Sequence, residues 1–300
     1  MNEHQPLVSL MMPCFNAGKT LRFALASLKA QTYERWEAVI VDDGSTDETQ
    51  KILHEHDDPR IRVDRFETNR GRGAARQRCL EMAEGSLLAF LDSDDWLFPA
   101  KLSHQVDLMR RHPNVVVLGG ACVITGPNGE AVGETRTGLP AGVRYQLARF
   151  DRLGPPPIGF PPCMVRMEAA KQARFNPEYR RSQDSDFLLQ VMLGRDYAVS
   201  ATPVYAYSQA EAANLDKTLE GYRYRLRCYA QYLDRHPVRA RTNIAKTVAR
   251  MGVYRAAGFL GAEQRLINRR WAPLRAQGRA AFAEAEAIVE REAERMKGAA

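Results

Sequence analysis

Short apolar runs alternate with segments of helical character along the first 120 residues of this chain. Leu7–Met12 is such a run, and it ends at Pro13, which is typical of a buried strand. The predicted strands are residues 7–12, 36–41, 61–66 and 87–91, and the predicted helices are residues 21–31, 46–56, 73–83 and 99–111. Ser45 or Thr46 is the expected N-cap of the second helix. This alternation predicts an α/β fold with a mainly parallel sheet and helices on both faces.

The pattern changes after residue 114. Val115–Thr125 is strand-like, and the turn Gly126–Gly129 predicts that the chain returns as a hairpin from Ala131. Gly154–Pro162 is a predicted loop, because proline can join neither a strand ladder nor a helix interior. Further predictions are a helix at 184–193, strands within 197–207, basic helices from residue 219 and a polar, loosely docked last helix at 280–297. We therefore divide the chain into an α/β domain, residues 1–210, and a basic helical extension, residues 211–300.

The composition is that of a globular protein, with 45% hydrophobic and 26% charged residues. No apolar run approaches the ~20 residues that span a bilayer, and the first residues lack the pattern of a secretory signal. The five cysteines are odd in number and far apart, without a CxxC pair, so we expect reduced thiols and a cytoplasmic location.

Basic residues are concentrated in the last part of the chain. Residues 221–300 contain 17 Lys and Arg against 7 Asp and Glu, whereas the first 220 residues carry a net charge of −3. Such a region could contact an acidic membrane, an anionic acceptor or nucleic acid. A solvated helical surface is the simpler interpretation and is slightly preferred.

Polar segments follow three of the predicted strands. They are Pro13–Asn16, Asp42–Ser45 and Asp92–Asp95. In sheets of this kind, ligands bind beyond the carboxyl ends of the strands. We therefore expect the three segments to meet at one edge of the sheet and to form a binding site there.

The segment Asp92–Asp95 brings three carboxylates together directly after a strand. Mg²⁺ or Mn²⁺ would relieve their mutual repulsion, because these cations prefer oxygen ligands and leave positions for phosphate oxygens. Acidic residues also favour the positive end of a following helix, here the one predicted at 99–111. Taken alone, the segment supports both interpretations equally.

Residues 7 to about 207 resemble the family-2 glycosyltransferases, which are inverting nucleotide-sugar enzymes of the GT-A fold. The resemblance rests on six segments in order: Val8–Asn16, Ser27–Thr32, Val41–Asp47, Asn69–Arg76, Phe90–Asp95 and Gln183–Phe187. It implies a mixed sheet flanked by helices, with the basic helices as an extension. Six segments in order across two-thirds of the chain make the resemblance specific.

The resemblance also implies roles for residues that would bind the nucleotide sugar. Asp43 would read the base, Phe15 would pack on its face, and the backbone of Pro13 would flank it. A turn-forming role for Asp43 is the simpler alternative. Arg76 would reach the nucleotide, with Arg72 as a weaker candidate, although both could belong to a basic helix surface. The remaining members of this predicted group are Asn69, Gly71, Asp92 and Ser93, and Gly71 and Gly73 would permit close backbone approach.

The acidic residues of the resemblance would hold the metal and perform the chemistry. Asp92-Ser93-Asp94 matches the family's DxD motif, in which Asp94 would ligate Mn²⁺ or Mg²⁺ and Asp92 would contact ribose or the donor sugar. Asp95 is a competing ligand. Asp184 follows Gln183 as the second acid of the family and would be the catalytic base, with Asp186 as the alternative.

The chain departs from the family pattern near residue 205. Many relatives carry Arg or His there, whereas this chain has the segment Tyr205–Ala210. The donor diphosphate would then be neutralised by the metal, by Arg76 or by a residue of the basic extension. This departure also keeps open a nucleotide-sugar-binding protein that has lost turnover.

The predicted function is metal-dependent, inverting transfer of a sugar from a UDP-sugar or other NDP-sugar to a hydroxyl group of a glycan or lipid-linked acceptor. Peripheral membrane contact through the basic helices would accompany it. A sugar-nucleotide pyrophosphorylase is less favoured, because the segment 13–19 is a poor version of the Gly-rich phosphate loop that it needs. Nucleic-acid binding is the least favoured, because residues 221–300 contain no recognisable motif.

Overall fold

The computed structural model describes residues 5–55, 57–208, 214–263, 266 and 271–298 of the 300-residue chain. Its first part alternates strands and helices as predicted: β1 Val8–Cys14, α1 Leu21–Lys29, β2 Trp36–Asp42, α2 Thr49–His54, β3 Ile61–Arg65, α3 Arg72–Met82 and β4 Leu87–Phe90. Strands β2, β1 and β4 are adjacent and parallel, with Val8 opposite both Trp36 and Leu87. Every residue of these three strands is buried, which explains their apolar composition.

The second part completes one mixed sheet. Its elements are β5 Trp96–Leu97, α4 Lys101–Arg111, β6 Val115–Thr125, β7 Ala131–Glu134, β8 Tyr145–Arg149, β9 Met164–Arg166, α5 Met167–Ala170, α6 Gln183–Met192 and β10 Asp196–Ser208. The strand order is β3-β2-β1-β4-β9-β6-β10-β5, with β7 beside β6 and β8 beside β10. The β6–β7 pair is the predicted hairpin. The sheet is mixed because β9 runs antiparallel to both β4 and β6.

Helix α2 begins at Thr49, three residues later than predicted. The hydroxyl group of Ser45, one of the two predicted caps, bonds instead to the loop after β1, as does that of Thr49. Ser45 Oγ accepts from the Asn16 N–H at 2.9 Å, and Thr49 Oγ1 accepts from the Ala17 N–H at 2.7 Å. A local contact also marks the start of the helix, because Asp47 Oδ1 accepts from the Thr49 N–H at 3.0 Å.

The described residues after β10 include the helices α7 Leu215–Ala230, α8 Pro237–Phe259 and α9 Ala276–Gly298. Helix α7 begins at Leu215, four residues before the predicted start at residue 219. The Asn214 side chain caps it there by accepting from the Lys217 N–H at 2.8 Å. The division of the chain at residue 210 remains a prediction. Among the described residues, no helix combines the length and the apolar character needed to cross a membrane. All five cysteines are unpaired and buried.

The prediction that the last helix is loosely docked is wrong. Phe282, Ala285 and Val289 of α9 are buried beside α1 and the region of β5. The ring centroid of Phe282 lies 5.2 Å from that of Trp96. These three residues lie on one side of the helix, since they are three and four positions apart. The abundant Ala and Glu residues around them conceal this narrow apolar stripe in the sequence.

Removing the ring of Phe282 should destabilise the fold. We expect Phe282→Ala to lower the free energy of unfolding by about 3 to 5 kcal/mol, because it leaves a cavity between α9 and the sheet. Urea denaturation measures this loss. The matched control is Phe259→Ala at the end of α8, where the side chain is exposed, with an expected change within about 0.5 kcal/mol. Equal losses in the two variants would contradict the docking of α9.

Candidate functional site

A cleft of about 1520 Å³ opens at the carboxyl ends of β1, β2 and β4. The three polar segments predicted to meet at this edge all contribute to it. The predicted site residues that line the cleft are Pro13, Phe15, Asp43, Asn69, Gly71, Asp92, Ser93 and Asp94. Phe15 leaves 47% of its surface exposed, so an apolar ring is available at the cleft.

A second cavity of about 430 Å³ adjoins the cleft. Asp184 and Arg76 line it, together with the proline-rich loop 155–162. The residues that line both spaces are Arg72, Asp92, Arg180, Arg181 and Tyr207. The two spaces therefore form one continuous site with a large compartment at the strand ends and a smaller one beside Asp184.

Asp43 organises the loop that precedes α3. Its Oδ1 accepts from the Arg70 N–H at 2.7 Å, and its Oδ2 accepts from the Gly71 N–H at 2.9 Å. Gly71 has φ of +92°, a conformation that favours glycine. Burial raises the pKa of Asp43 despite these two bonds. Each carboxylate oxygen retains a further lone pair, so recognition of a base by Asp43 remains compatible with this local role.

Gly73 lines the cleft and also packs closely against the protein backbone. A Cβ atom at this position would lie 2.7 Å from the backbone oxygen of Asn176. This packing alone requires glycine, and the predicted approach of a nucleotide to Gly73 remains a prediction.

Tyr205 and Asp95 hold the acidic loop in place. The buried Tyr205 hydroxyl accepts from the Asp92 N–H at 3.0 Å and donates to Asp95 Oδ2 at 2.8 Å. Asp95 Oδ1 accepts from the Ser208 N–H at 2.7 Å, and Thr20 Oγ1 donates to the Ser93 carbonyl at 2.8 Å. Asp95 is buried and does not line the cleft, so it is not placed to compete as a metal ligand. The sequence pattern did not identify Tyr205 or Thr20, because their partners are far along the chain.

Arg76 lies where it supports Asp92. It is only 3% exposed, donates to Asp92 Oδ1 at 2.8 Å, and places its guanidinium carbon 4.7 Å from the ring centroid of Phe160. It lines the smaller cavity and not the large cleft, and its predicted contact with the nucleotide remains a prediction. Burial alone would raise the pKa of Asp92, but Arg76 and Arg72 outweigh it and lower the pKa. Asp92 is therefore held ionised and oriented by the protein.

Other basic residues do line the cleft. Arg72, the first residue of α3, faces Asp92, Asp94 and Asp184, whose charges raise its pKa. Lys217 of α7 lines the same cleft, so the basic C-terminal region contributes to the site. The remaining basic residues in the lining are Lys19, Arg70, Arg180 and Arg181. The cleft is thus suited to a ligand with concentrated negative charge.

Asp94 lines the cleft as a second acidic residue of the loop, beside Asp92. Burial by the cleft walls and the nearby charge of Asp92 raise its pKa. No set of three His, Cys, Asp or Glu side chains that could hold a metal ion by themselves occurs among the described residues. The arrangement fits a divalent cation held by one carboxylate together with ligand phosphates, which is a common mode of Mg²⁺ binding.

The structure separates the two acids considered as the base. Asp184 lies in the first turn of α6, lines the smaller cavity, and accepts from the Ser185 N–H at 2.7 Å. Asp186 is buried and accepts from Gln190 Nε2 at 2.9 Å, and burial raises its pKa. Only Asp184 of this pair faces a space that a second substrate could enter.

The proline-rich loop is anchored from beneath by two fully buried side chains. Lys101 Nζ donates to Gln105 Oε1 at 2.9 Å and to the Pro162 carbonyl at 3.3 Å, and Gln105 Nε2 donates to the same carbonyl at 2.7 Å. Burial lowers the pKa of Lys101 to about 8. A lysine at the start of a predicted helix gave no indication of this role.

The buried Lys101 should leave a signature in the pH dependence of stability. Between pH about 8 and about 10.5 the unfolded chain keeps a proton that the folded chain releases, so this group makes the folded state more stable as pH rises. Lys101→Met removes that contribution. The free energy of unfolding of the wild type, minus that of the variant, should therefore increase by up to roughly 3 kcal/mol as the pH rises through this range. Urea titrations of both proteins at several pH values measure the difference, and a constant difference would contradict the assignment.

Comparison with known proteins matches the chain to one family. The model of the family described as glycosyl transferase family 2 matches residues 9–173, more than half of the chain. The chain is 39% identical over 106 residues to the UDP-Glc:alpha-D-GlcNAc-diphosphoundecaprenol beta-1,3-glucosyltransferase WfgD of Escherichia coli, a match that covers 35% of this chain and 42% of the relative. The chain spans less than half of the length of the curated relatives that head the comparison.

Solved structures share the fold. The 1-349 segment of S. aureus TarS in complex with UDP-GlcNAc aligns with a TM-score of 0.67 at 22% identity, covering 97% of this chain and 83% of that one. The mannosyltransferase PcManGT from Pyrobaculum calidifontis, in complex with GDP-Man and Mn²⁺, aligns with a TM-score of 0.56 at 16% identity, covering 98% and 88%. The mixed sheet flanked by helices is therefore the GT-A fold predicted from the sequence. Together with the family match, it shows that the chain belongs to glycosyltransferase family 2.

Proposed function

We propose that this protein is an inverting, metal-dependent glycosyltransferase that moves a sugar from a UDP-sugar, or another NDP-sugar, to a hydroxyl group of a glycan or lipid-linked acceptor. The observation that carries the proposal is the pair of joined compartments. Asp94 opens to the larger one, Asp184 lines the smaller one, and Asp92 lies between them. A donor and an acceptor could thus meet at their junction.

The donor would occupy the larger compartment. Phe15 and Pro13 offer an apolar surface for a nucleobase, beside the loop that Asp43 organises. We assign the diphosphate to Arg72 and Lys217, in place of Arg76, because Arg76 is bound to Asp92. Guanidinium and ammonium groups are the usual partners of phosphate oxygens. The neighbours in complex with UDP-GlcNAc and GDP-Man support a nucleotide-sugar donor of this kind.

Asp94 would hold the divalent cation through its carboxylate. When bound, Mn²⁺ or Mg²⁺ neutralises the diphosphate and the charge that develops on the leaving group. Asp92, fixed by Arg76 and by the Tyr205 hydroxyl, would contact the ribose or the transferred sugar. The structural neighbour solved with GDP-Man and Mn²⁺ supports a divalent metal at this site.

Asp184 would act as the general base in the smaller compartment. Its carboxylate would take the proton of the acceptor hydroxyl while that oxygen bonds to the anomeric carbon, and the bond to the diphosphate would break on the opposite face. This geometry inverts the configuration at the anomeric carbon. The loop 155–162, held by Lys101 and Gln105, would shape the acceptor side of the site.

The E. coli relative acts, by its name, on a sugar attached to diphosphoundecaprenol, which supports a lipid-linked acceptor. Such an acceptor would place this protein at the cytoplasmic face of a membrane.

A panel of UDP- and GDP-sugars with Mn²⁺ or Mg²⁺ tests the proposal. We expect one donor to raise the melting temperature and to release free nucleoside diphosphate slowly by hydrolysis, because a ligand of the native state stabilises it. Absence of both effects for every donor would overturn the proposal. Binding without release or transfer to any acceptor offered would favour a binding protein that has lost turnover.

A further inference from the structure

Helix α8 presents an apolar face to solvent. Phe259 and Leu260 at its end are 92% and 75% exposed, and Val238 and Val253 are exposed as well. Scattered exposed apolar residues are ordinary on a protein surface, whereas a contiguous set on one helix face is not. This face therefore requires an explanation.

Successive residues of a helix are rotated by about 100°, so the exposed side of α8 can be mapped. A stripe of small or apolar residues, interrupted by Thr242, runs along its outward side: Val238, Ala245, Ala249, Gly252, Val253, Ala256, Phe259 and Leu260. The opposite side is buried and attaches the helix to the body through Ala240, Thr247 and Met251. The outward stripe is thus additional to the face that the fold itself uses.

Cations flank the stripe on both sides. Arg239, Lys246 and Arg250 lie along one flank, and Arg241 and Arg255 lie along the other. The helix contains no acidic residue, and none of the five cations forms an ion pair with a described residue. An apolar stripe between two rows of cations is the pattern of helices that lie in the plane of an anionic membrane surface.

We propose that the outward face of α8 binds an anionic lipid bilayer, with the stripe at the boundary of the acyl chains and the flanking cations at the lipid phosphates. A second copy of the chain is a poorer occupant, because two such helices would bring ten cations together. A nucleic acid would leave the apolar stripe without a partner.

Helix α8 contacts the segment that leads into the smaller compartment of the candidate site. Asn243 Nδ2 donates to the Leu153 carbonyl at 2.8 Å, directly before the proline-rich loop that lines the smaller compartment. Membrane binding through α8 would bring that compartment close to the lipid surface. This second step rests on the proposed function, whereas lipid binding by α8 does not.

Sedimentation with vesicles tests the proposal. Vesicles of phosphatidylcholine mixed with phosphatidylglycerol should bind the wild type, less tightly as salt is raised, and pure phosphatidylcholine should bind it weakly. Arg239→Gln combined with Lys246→Gln and Arg250→Gln should weaken binding by about 10²-fold, since each cation contributes about fivefold. Phe259→Ser with Leu260→Ser should weaken binding to the mixed vesicles by at least about tenfold.

Matched controls change exposed residues elsewhere. Arg291→Gln with Arg295→Gln and Lys297→Gln removes the same charge from α9, and Val63→Ser removes an exposed apolar group from β3. Both should bind vesicles like the wild type. If the control variants lose as much vesicle binding as the α8 variants, the proposal is overturned. It is also overturned if the wild type self-associates without lipid through Phe259 and Leu260. Donor hydrolysis by the α8 variants, expected to be unchanged, reports separately on the proposed function.

Discussion

Asp184→Asn should lower kcat for sugar transfer by about 10² to 10⁴-fold, while the affinity for the NDP-sugar stays within about twofold. The amide has nearly the shape of the carboxylate but cannot accept the acceptor proton. Asp184 lies in the smaller compartment, so its replacement leaves the donor cleft intact. Single-turnover transfer and equilibrium binding of the donor measure the two quantities.

Asp186→Asn is the matched control for this prediction. Its side chain is two positions away on the same helix, is buried, and faces Gln190. The control should retain kcat within a few-fold in protein that remains folded. If Asp184→Asn keeps its activity, Asp184 is not the general base. An equal loss of kcat in a folded Asp186→Asn protein would contradict the assignment in the same way.

Asp94→Ala should abolish the dependence of donor binding on Mn²⁺ or Mg²⁺. We expect kcat to fall by about 10² to 10³-fold, because a bound divalent cation stabilises developing charge by several kcal/mol. Isothermal titration of the wild type and variant, with the metal and with chelator, measures the effect on binding. The two proteins should bind the donor alike in chelator.

Asp95→Asn serves as the control for metal binding. The change leaves one of the donors from Tyr205 and Ser208 without its carboxylate partner, so it should reduce thermal stability. It should keep the metal dependence, because Asp95 does not line the cleft. A metal effect that survives in Asp94→Ala but disappears in Asp95→Asn would assign the ligand to Asp95.

The central strands could be predicted from the sequence because burial on both faces makes them apolar runs. The short strands β5, β8 and β9 could not, since two to five residues carry too little periodicity. Helix α9 was recognised, but its docking was not. Its buried stripe is narrow, and its partners at Trp96 and Phe98 are about 180 residues away in the chain.

The candidate site also combines features that the local sequence predicts with contacts between distant segments that it does not predict. Residues at strand ends were placed correctly because parallel strands bring their carboxyl ends to one edge. The contact of Arg76 with Asp92 could not be predicted from spacing, because it depends on how α3 is rotated against Phe160. Tyr205 and Lys101 were missed for a related reason: each acts on a loop that lies far away in sequence.

The support of the acidic loop by β10 has a consequence for chimeras between relatives. The family match ends at residue 173, but the Asp92 N–H and the Asp95 carboxylate are bonded by Tyr205 and Ser208. Transplanting the matched segment alone would leave buried polar groups without partners. It would also omit Lys217 from the cleft lining. The smallest portable donor-binding unit in this chain therefore extends through the first turn of α7.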